Sequence, residues 1–242
     1  MTAILATPTN DPTTEAPSES ELVSFDLYAD IHKGIRGELF RITSSAGSLD
    51  PGERCAREQL LEGVHRLFGF LVVHAEHEDQ FVQPLLEVHA PYYAEVVASD
   101  HVRLEDQMAA IEARVERAAS ASKAEQRGRI HHVYRELAAF TSAYLEHQDF
   151  EECKVMPALD AVMGTDELVA VNAAIVASIP PEQLGDSLSL MLPAMNIEDR
   201  VELFAGAQAG MPPEVFAGVW ALTGSILEVA DYEALGARLG ID

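Results

Sequence analysis

The chain has 242 residues, of which 48% are hydrophobic and 23% are charged, the balance of a globular protein with a sizeable core. Its formal net charge of −24 argues against nucleic-acid binding and against an anionic membrane surface, because both need clustered Lys and Arg. Two widely spaced cysteines, Cys55 and Cys153, do not make a disulfide framework. With no membrane-length apolar run and no basic, apolar leader, we expect a cytoplasmic protein.

The first two helices are predicted from apolar periodicity and from capping signals. Apolar residues recur at helical spacing from Ser24 to Gly47. A second helix is expected to begin at Asp50, with Asp50 as its N-cap and Glu53 completing a capping box. That helix is expected to continue until it stops near Pro91.

The next two helices are predicted over residues 92–119 and 122–155. No segment shows the alternation of a strand bounded by turns, so the fold class is expected to be all-α. Four helices of about 20–30 residues with short connections predict an antiparallel four-helix bundle over residues 23–164. Residues 1–22, which are rich in Thr, Pro, Ser, Asp and Glu, are predicted to be a disordered tail.

The remaining third of the chain predicts further helices. A connecting helix is expected over residues 165–180, followed by a small helical extension over residues 181–242. In this extension Asn196 is expected to cap one helix, and Pro212 and Pro213 to begin another. The extension contains no His and no Cys, so its large apolar side chains are expected to form a core or the interface of a homo-oligomer.

An internal repeat is the most informative feature of the sequence. Residues 74–87 match residues 147–160 without a gap: five of the fourteen positions are identical, and three more exchange Asp for Glu. The shared string is His-x-x-x-Glu-acidic, followed by Val-x-Pro-x-Leu. His32 precedes the first copy by 42 residues, and His101 precedes the second by 46. This arrangement predicts two helical hairpins that face each other about a pseudo-two-fold axis.

The spacing within each copy predicts a buried cluster of ionisable side chains. Residues four apart lie on one face of a helix, about 6 Å apart along its axis. His32, His74 and His147 lie in or directly after apolar runs, so their side chains are expected at the core. Burying such groups together costs several kcal/mol each unless their charges are compensated. Four imidazoles and two carboxylates therefore predict bound cations; iron, zinc or manganese suit these donors, and the symmetry suits two ions.

The pattern resembles the hemerythrin-like (HHE cation-binding) domain over about residues 24–164. In that family the first and third helices each contribute a His, and the second and fourth each contribute His-x-x-x-Glu. The resemblance implies a non-haem di-iron site with two iron ions, which meets oxygen species. Dioxygen, peroxide or nitric oxide are the small ligands that we expect. The resemblance also implies that Glu78 and Glu151 bridge the irons, and that the metal ligands are His32, His74, Glu78, His101, His147 and Glu151.

Several residues next to the predicted ligands are also expected to have a role at the site. Oxygen-carrying hemerythrins have a second His four residues after the third-helix His, and here that position is Glu105. A carboxylate there favours the ferric state, which argues against reversible oxygen carriage. Glu105 and His77 are each either a further ligand or a group that orients one. Asp79 and Glu152 are expected to face solvent or to hydrogen-bond around the ligands. Cys153 is expected to be a buried, unreactive thiol, with a redox-sensitive thiol as the alternative.

Three functions are compatible with these observations. The first is a di-iron protein that binds or reduces dioxygen or peroxide; whether it turns over as an enzyme is left open. The second is a sensor or binding module that reports iron, oxygen or nitric oxide to a partner through the extension. The third is a metal-free helical interaction protein, which would be colourless and whose stability would barely respond to His74→Ala.

Overall fold

The computed structural model describes residues 23–241, so the tail predicted over residues 1–22 lies outside the described residues. Within residues 23–241 all regular structure is helical, which confirms the all-α prediction. The α-helices are α1 (Ala29–Ser48), α2 (Arg54–Phe81), α3 (Gln83–His89), α4 (Pro91–Ala119), α5 (Gln126–Phe150), α6 (Met156–Asp160), α7 (Thr165–Ser178), α8 (Pro181–Met191), α9 (Ile197–Gly210), α10 (Pro213–Ile226) and α11 (Val229–Leu239). A π-helix covers Glu151–Val155 and a 3-10 helix covers Leu192–Ala194. None of the helices in this part of the chain combines the length and the apolar character that crossing a membrane requires.

The four long helices α1, α2, α4 and α5 form a bundle. α1 packs against α2 and α5, and α4 packs against the same two helices, so α1 and α4 are diagonal to each other. Their apolar stripes meet in one core, in which Ile35, Leu67 and Phe140 are almost completely buried. Short connections join helices that are neighbours in the bundle, as expected of antiparallel packing. The four-helix bundle predicted from periodicity is therefore confirmed.

The first helix begins later than the sequence pattern predicts. α1 starts at Ala29 rather than at Ser24. The Oδ1 atom of Asp26 accepts the backbone N–H groups of Tyr28 and Ala29, at 2.8 and 3.0 Å. A side chain that accepts the N–H groups two and three residues further on closes a turn, and this turn directly precedes α1.

The capping box predicted at the start of the second helix is wrong. The Oδ1 atom of Asp50 accepts the backbone N–H of Gly52 at 2.8 Å, which closes a tight turn. α2 then begins at Arg54, and Glu53 makes no side-chain cap. Asp50 therefore stabilises the turn that precedes the helix instead of the helix end itself.

Both copies of the repeat depart from α-helical geometry near their shared proline. α2 ends at Phe81, and the short α3 follows it, because Pro84 has no N–H to continue the hydrogen-bond ladder. In the second copy the wide π-helical turn Glu151–Val155 precedes Pro157. α5 and the π-helix together reach residue 155 as predicted, and α6 extends the helix further. Such wide turns recur at functional sites.

The C-terminal extension has an apolar core of its own. Phe204 is buried in this core, and Trp220 stacks on Tyr232 with ring centroids 4.6 Å apart. Asn196 caps α9 as predicted, because its side chain accepts two backbone N–H groups of the first turn. The large apolar side chains thus form a core, one of the two roles expected of them. The division of the chain at residues 164 and 180 stays a prediction.

The extension packs directly against α1. Gly34 lies where α1 crosses α8, and a Cβ at this position would stand 3.0 Å from the backbone carbonyl of Leu190. Nearby, the Nζ of Lys33 pairs with Oδ2 of Asp199 at 2.5 Å. The extension therefore contacts the two residues that directly follow His32 on α1.

A larger side chain at this crossing is expected to separate α1 from α8. Gly34→Val should lower the free energy of unfolding by about 1–3 kcal/mol, because the backbone of Leu190 leaves no room for the added methyl groups. Gly69→Ala on α2 is the matched control, since nothing lies within 4 Å of a Cβ there; it should raise stability by roughly 0.5–1 kcal/mol. Urea unfolding measures both changes, and an undiminished stability of the Gly34 variant would contradict the close crossing.

Candidate metal centre

The six predicted ligands lie together in one polar layer across the bundle. All are buried except His74, whose side chain is 10% exposed. The layer consists of His32 on α1, His74 and Glu78 on α2, His101 on α4, His147 on α5 and Glu151 on the π-helix. The four helices thus bring together residues that are separated by more than a hundred positions in the sequence.

Apolar side chains cover this polar layer on both sides. The main core of the bundle lies on one side. On the other side lie Val82 and Leu86 of the first repeat copy, with Val155 and Leu159 of the second, all almost completely buried. The Val-x-Pro-x-Leu half of each copy therefore closes the bundle next to the polar half. Both halves of the repeat have a structural meaning.

The four imidazoles form two pairs, and a carboxylate lies between the pairs. The first imidazole pair is His32 and His74, with ring centroids 5.4 Å apart; the second is His101 and His147, 5.1 Å apart. Glu78 directs one oxygen to each pair. Its Oε1 lies 3.1 Å from Nε2 of His74, and its Oε2 lies 3.3 Å from Nε2 of His101.

Glu151 lies between the same two pairs. Its Oε2 is 3.5 Å from Nε2 of His32, and its Oε1 is 3.3 Å from Nε2 of His147. Both carboxylates thus divide their oxygens between the two imidazole pairs, as the pseudo-two-fold repeat requires. A carboxylate with one oxygen on each side has the arrangement of a bridge between two cations.

Most of the nitrogen and oxygen atoms that point into the layer make no hydrogen bond within residues 23–241. Several of these nitrogens and oxygens lie within 3.5 Å of one another but make ion-pair contacts only. The layer atoms without a hydrogen bond are Nε2 of His32, His74 and His101 and both carboxylate oxygens of Glu78 and Glu151. A buried polar group without a partner costs about 1–3 kcal/mol. The atoms form two groups that share Glu78, each with all ligand atoms within 4.8 Å of one another. This donor set fits bound cations, which would satisfy these atoms.

Burial and mutual contact shift the pKa values of the clustered residues. Burial, with the negative charge of Glu78 added, raises the pKa of Glu151 well above its usual range. Burial opposes ionisation of Glu78 too, but His74 and His101 outweigh it and lower the pKa of Glu78. Burial lowers the pKa of His74 to about 4. It acts in the same sense on His101, but Glu78 and Asp79 outweigh it and raise the pKa of His101 to about 8. Without a cation, the layer therefore retains protons.

A second set of carboxylates contacts the outward-facing nitrogens of the imidazoles. Oδ1 of Asp79 lies 2.9 Å from Nδ1 of His101, and Oε1 of Glu152 lies 2.9 Å from Nδ1 of His32. Asp79 and Glu152 occupy equivalent positions in the repeat, and each contacts the His of the opposite hairpin. Of the two roles expected for them, the structure assigns hydrogen bonding to the imidazoles, a contact that orients metal-binding His residues.

Two further charged residues, which the sequence pattern did not indicate, belong to this outer set. Oδ2 of Asp100 lies 3.7 Å from Nδ1 of His147, an ion-pair distance that is too long for a hydrogen bond. Arg36 donates to both oxygens of Glu152, at 2.7 and 3.0 Å. Their places in the sequence could have indicated this role, because Asp100 directly precedes His101 on the third helix of the bundle and Arg36 lies one turn after His32 on α1.

Three other candidates lie outside the polar layer. His77 is half-buried and Glu105 is exposed on α4, and neither joins the groups of converging ligand atoms in the part of the chain that the structure describes. The expectation that Cys153 is buried is wrong. Its thiol is exposed because it lies on the outer side of the π-helix, and Sγ is 3.5 Å from Oδ1 of Asp149.

A tyrosine packs against one imidazole of each pair. The ring of Tyr28 lies 5.1 Å from that of His32, and the ring of Tyr144 lies 5.7 Å from that of His147. Burial and the negative charges of Glu78 and Glu151 raise the pKa of both phenols well above their usual range. Both tyrosines therefore keep their hydroxyl proton and remain hydrogen-bond donors.

Comparison with known proteins agrees with this geometry. A family model, the hemerythrin HHE cation-binding domain, matches residues 23–159. The comparisons with curated proteins and with solved structures found no match. The family match covers more than half of the chain and includes the whole polar layer with its four helices. The chain therefore belongs to the family of hemerythrin HHE cation-binding domains.

Proposed function

We propose that the polar layer binds two iron ions, one beside each imidazole pair, with Glu78 and Glu151 as bridging ligands. His32 and His74 would bind one ion, and the second imidazole pair would bind the other. The observation that carries the proposal is the division of each carboxylate between the two pairs. The choice of iron over zinc or manganese rests on the family.

We further propose that this centre binds or reduces dioxygen or peroxide, with nitric oxide as another small ligand. Iron supplies a Lewis acid and a source of electrons when it is bound there. The protein's own residues hold the imidazoles in place through Asp79 and Glu152, and the two apolar layers exclude water. Tyr28 and Tyr144 offer hydroxyl donors beside the two pairs.

A sensor is the second candidate, and the contact between the extension and α1 favours it. Lys33 and Gly34, which directly follow His32, contact Asp199 and Leu190 of the extension. A shift of α1 on metal binding would therefore reach the extension. The sensor hypothesis predicts slow turnover and a change of conformation or oligomeric state when metal is loaded.

Two further predictions belong to this proposal. Homo-oligomer formation through the extension is supported by Val215 and Val229, which are 46% and 71% exposed on it. A cytoplasmic location is supported by the two cysteines, which are both free thiols. Size-exclusion chromatography with light scattering tests the first, and localisation of the tagged full chain tests the second.

Metal analysis combined with an absorption spectrum tests the function. The full chain, loaded with ferrous iron without oxygen and then desalted, is expected to carry two iron ions and to change its spectrum when dioxygen or peroxide is added. Sustained oxygen release from peroxide, or peroxide removal that depends on a reductant, would identify an enzyme. Slow turnover with a changed elution volume would identify a sensor. Less than one iron per chain would overturn the proposal.

A further inference from the structure

We propose that the carboxylates around the polar layer make the two cation positions unequal, so that the second imidazole pair binds its cation more tightly. Asp79 and Glu152 would act as positioning residues, because they hydrogen-bond to the imidazoles and do not touch the cations. The inference rests on the proposed function, since it requires two cation positions.

The second imidazole pair has a carboxylate next to each ring. Asp79 contacts Nδ1 of His101 at 2.9 Å, and Asp100 lies 3.7 Å from Nδ1 of His147. Arg103 pairs with the other oxygen of Asp100 at 2.7 Å. Asp79 is half-exposed and forms no ion pair with Lys or Arg within residues 23–241. One uncompensated negative charge therefore lies beside the second pair.

The first imidazole pair has weaker support from its surroundings. Glu152 contacts Nδ1 of His32 at 2.9 Å, but both of its oxygens also accept hydrogen bonds from Arg36. The ion pair neutralises this carboxylate. Within the described residues, the polar contact of His74 runs through Nε2 to Glu78, and no carboxylate accepts from its Nδ1. The first pair thus has one oriented ring and no uncompensated negative charge.

These differences all favour tighter cation binding at the second imidazole pair. A carboxylate on the outer nitrogen fixes the orientation of an imidazole and makes its inner nitrogen a stronger donor. An arginine that pairs with that carboxylate reduces this gain in donor strength, because its positive charge offsets the negative charge of the carboxylate. The second pair therefore has one fully supported donor, His101, and the attractive field of Asp79. The first pair has one donor, His32, whose support is weakened by Arg36. We infer that the first position is the exchangeable one.

Anaerobic titration of the metal-free full chain with Co²⁺ tests the inference, because the visible absorption of Co²⁺ reports each binding step. Wild type is expected to bind two ions in two steps whose dissociation constants differ by about 10-fold or more. His147→Ala should remove the tighter step, and His74→Ala should remove the weaker step while the tighter one remains.

Asp79→Asn should weaken the tighter step by about 10–100-fold and shift its cobalt spectrum, with the weaker step unchanged. Asp79→Glu should restore part of the affinity, which a loss of folding would not allow. Glu76→Gln, an exposed carboxylate on the same helix, is the matched control and should behave as wild type. Far-ultraviolet circular dichroism checks that every variant is folded.

Three results would each overturn the inference. The first is two equal binding steps in wild type, and the second is removal of the tighter step by His74→Ala. The third is an Asp79→Asn chain whose two dissociation constants both stay within about twofold of wild type. A wild-type chain that takes up fewer than two ions would overturn the proposed two-ion centre itself, and this inference with it. The wild-type stoichiometry therefore separates failure of the proposed function from failure of the inference.

Discussion

Replacing Glu78 by Gln is expected to weaken the binding of both cations, because one of its carboxylate oxygens faces each imidazole pair. Gln keeps the shape of the side chain but loses the negative charge and one acceptor oxygen. Changing a group that only hydrogen-bonds to a ligand costs about 10–100-fold in affinity, so the position that loses its ligand oxygen should lose on the order of 100-fold or more. The other position keeps a neutral amide oxygen in place of a charged one and should also bind its cation more weakly. Glu151→Gln should act in the same way. After iron loading and desalting, each variant is expected to retain less than one iron per chain.

Loss of one imidazole should have a different result. His74→Ala removes a ligand from the first pair alone and is expected to leave about one iron per chain. Two matched controls, Glu76→Gln on α2 and Glu146→Gln on α5, remove exposed carboxylates from the same helices and should retain two ions. A Glu78→Gln chain that keeps one ion at wild-type affinity would show that Glu78 serves one position only and would refute the bridge.

Removing the metal is expected to lower the melting temperature of the chain by on the order of 20 °C. An ion that binds only the folded chain stabilises it by about 4 kcal/mol when its free concentration is 1,000 times its dissociation constant, so two ions contribute roughly 8 kcal/mol. For a chain of this size, 1 kcal/mol corresponds to about 2–4 °C. Calorimetry of the iron-loaded chain, with and without a chelator, measures the shift. A shift of only a few degrees, equal to that of Glu78→Gln, would favour the metal-free interaction protein.

The metal-free chain is also expected to lose stability as the pH rises from 6.5 to about 8.5. His101 has an ordinary pKa of 6.5 and a pKa of about 8 in the fold, so the folded chain binds more protons than the unfolded chain in this range. Stability should fall by about 2 kcal/mol. The raised pKa of Glu151 acts in the same direction. The lowered pKa of His74 adds stability as the pH rises from about 4 to 6.5, and little above that.

The iron-loaded chain should not show this loss, because a bound cation takes the place of the protons. Denaturant unfolding at pH 6.5 and at about pH 8.5, with and without chelator, tests the sign. A metal-free chain that is equally stable or more stable at the higher pH would contradict the assignment of the His101 pKa.

Much of the fold could be predicted from local patterns. The third helix of the bundle, predicted over residues 92–119, is observed as Pro91–Ala119. Both ends of this helix can be predicted from the sequence, because a proline begins it and its apolar periodicity stops at the other end. The first residue of α2 could not be predicted from the sequence, because the Asp50 side chain can accept a hydrogen bond from several nearby backbone N–H groups. The path of the chain decides that Asp50 accepts from Gly52 and closes a turn.

By itself the sequence determined which residues form the candidate centre. The spacing of four between His74 and Glu78 places both on one helix face wherever that helix lies, and the repeat supplies the same pair from another helix. Only the tertiary structure decided which oxygen of each carboxylate faces which imidazole pair, and that Asp79 and Glu152 reach across to the opposite hairpin. The physical reason is that these contacts join different helices. Their distances depend on how the helices rotate and cross, which side-chain packing sets and periodicity along one helix does not record.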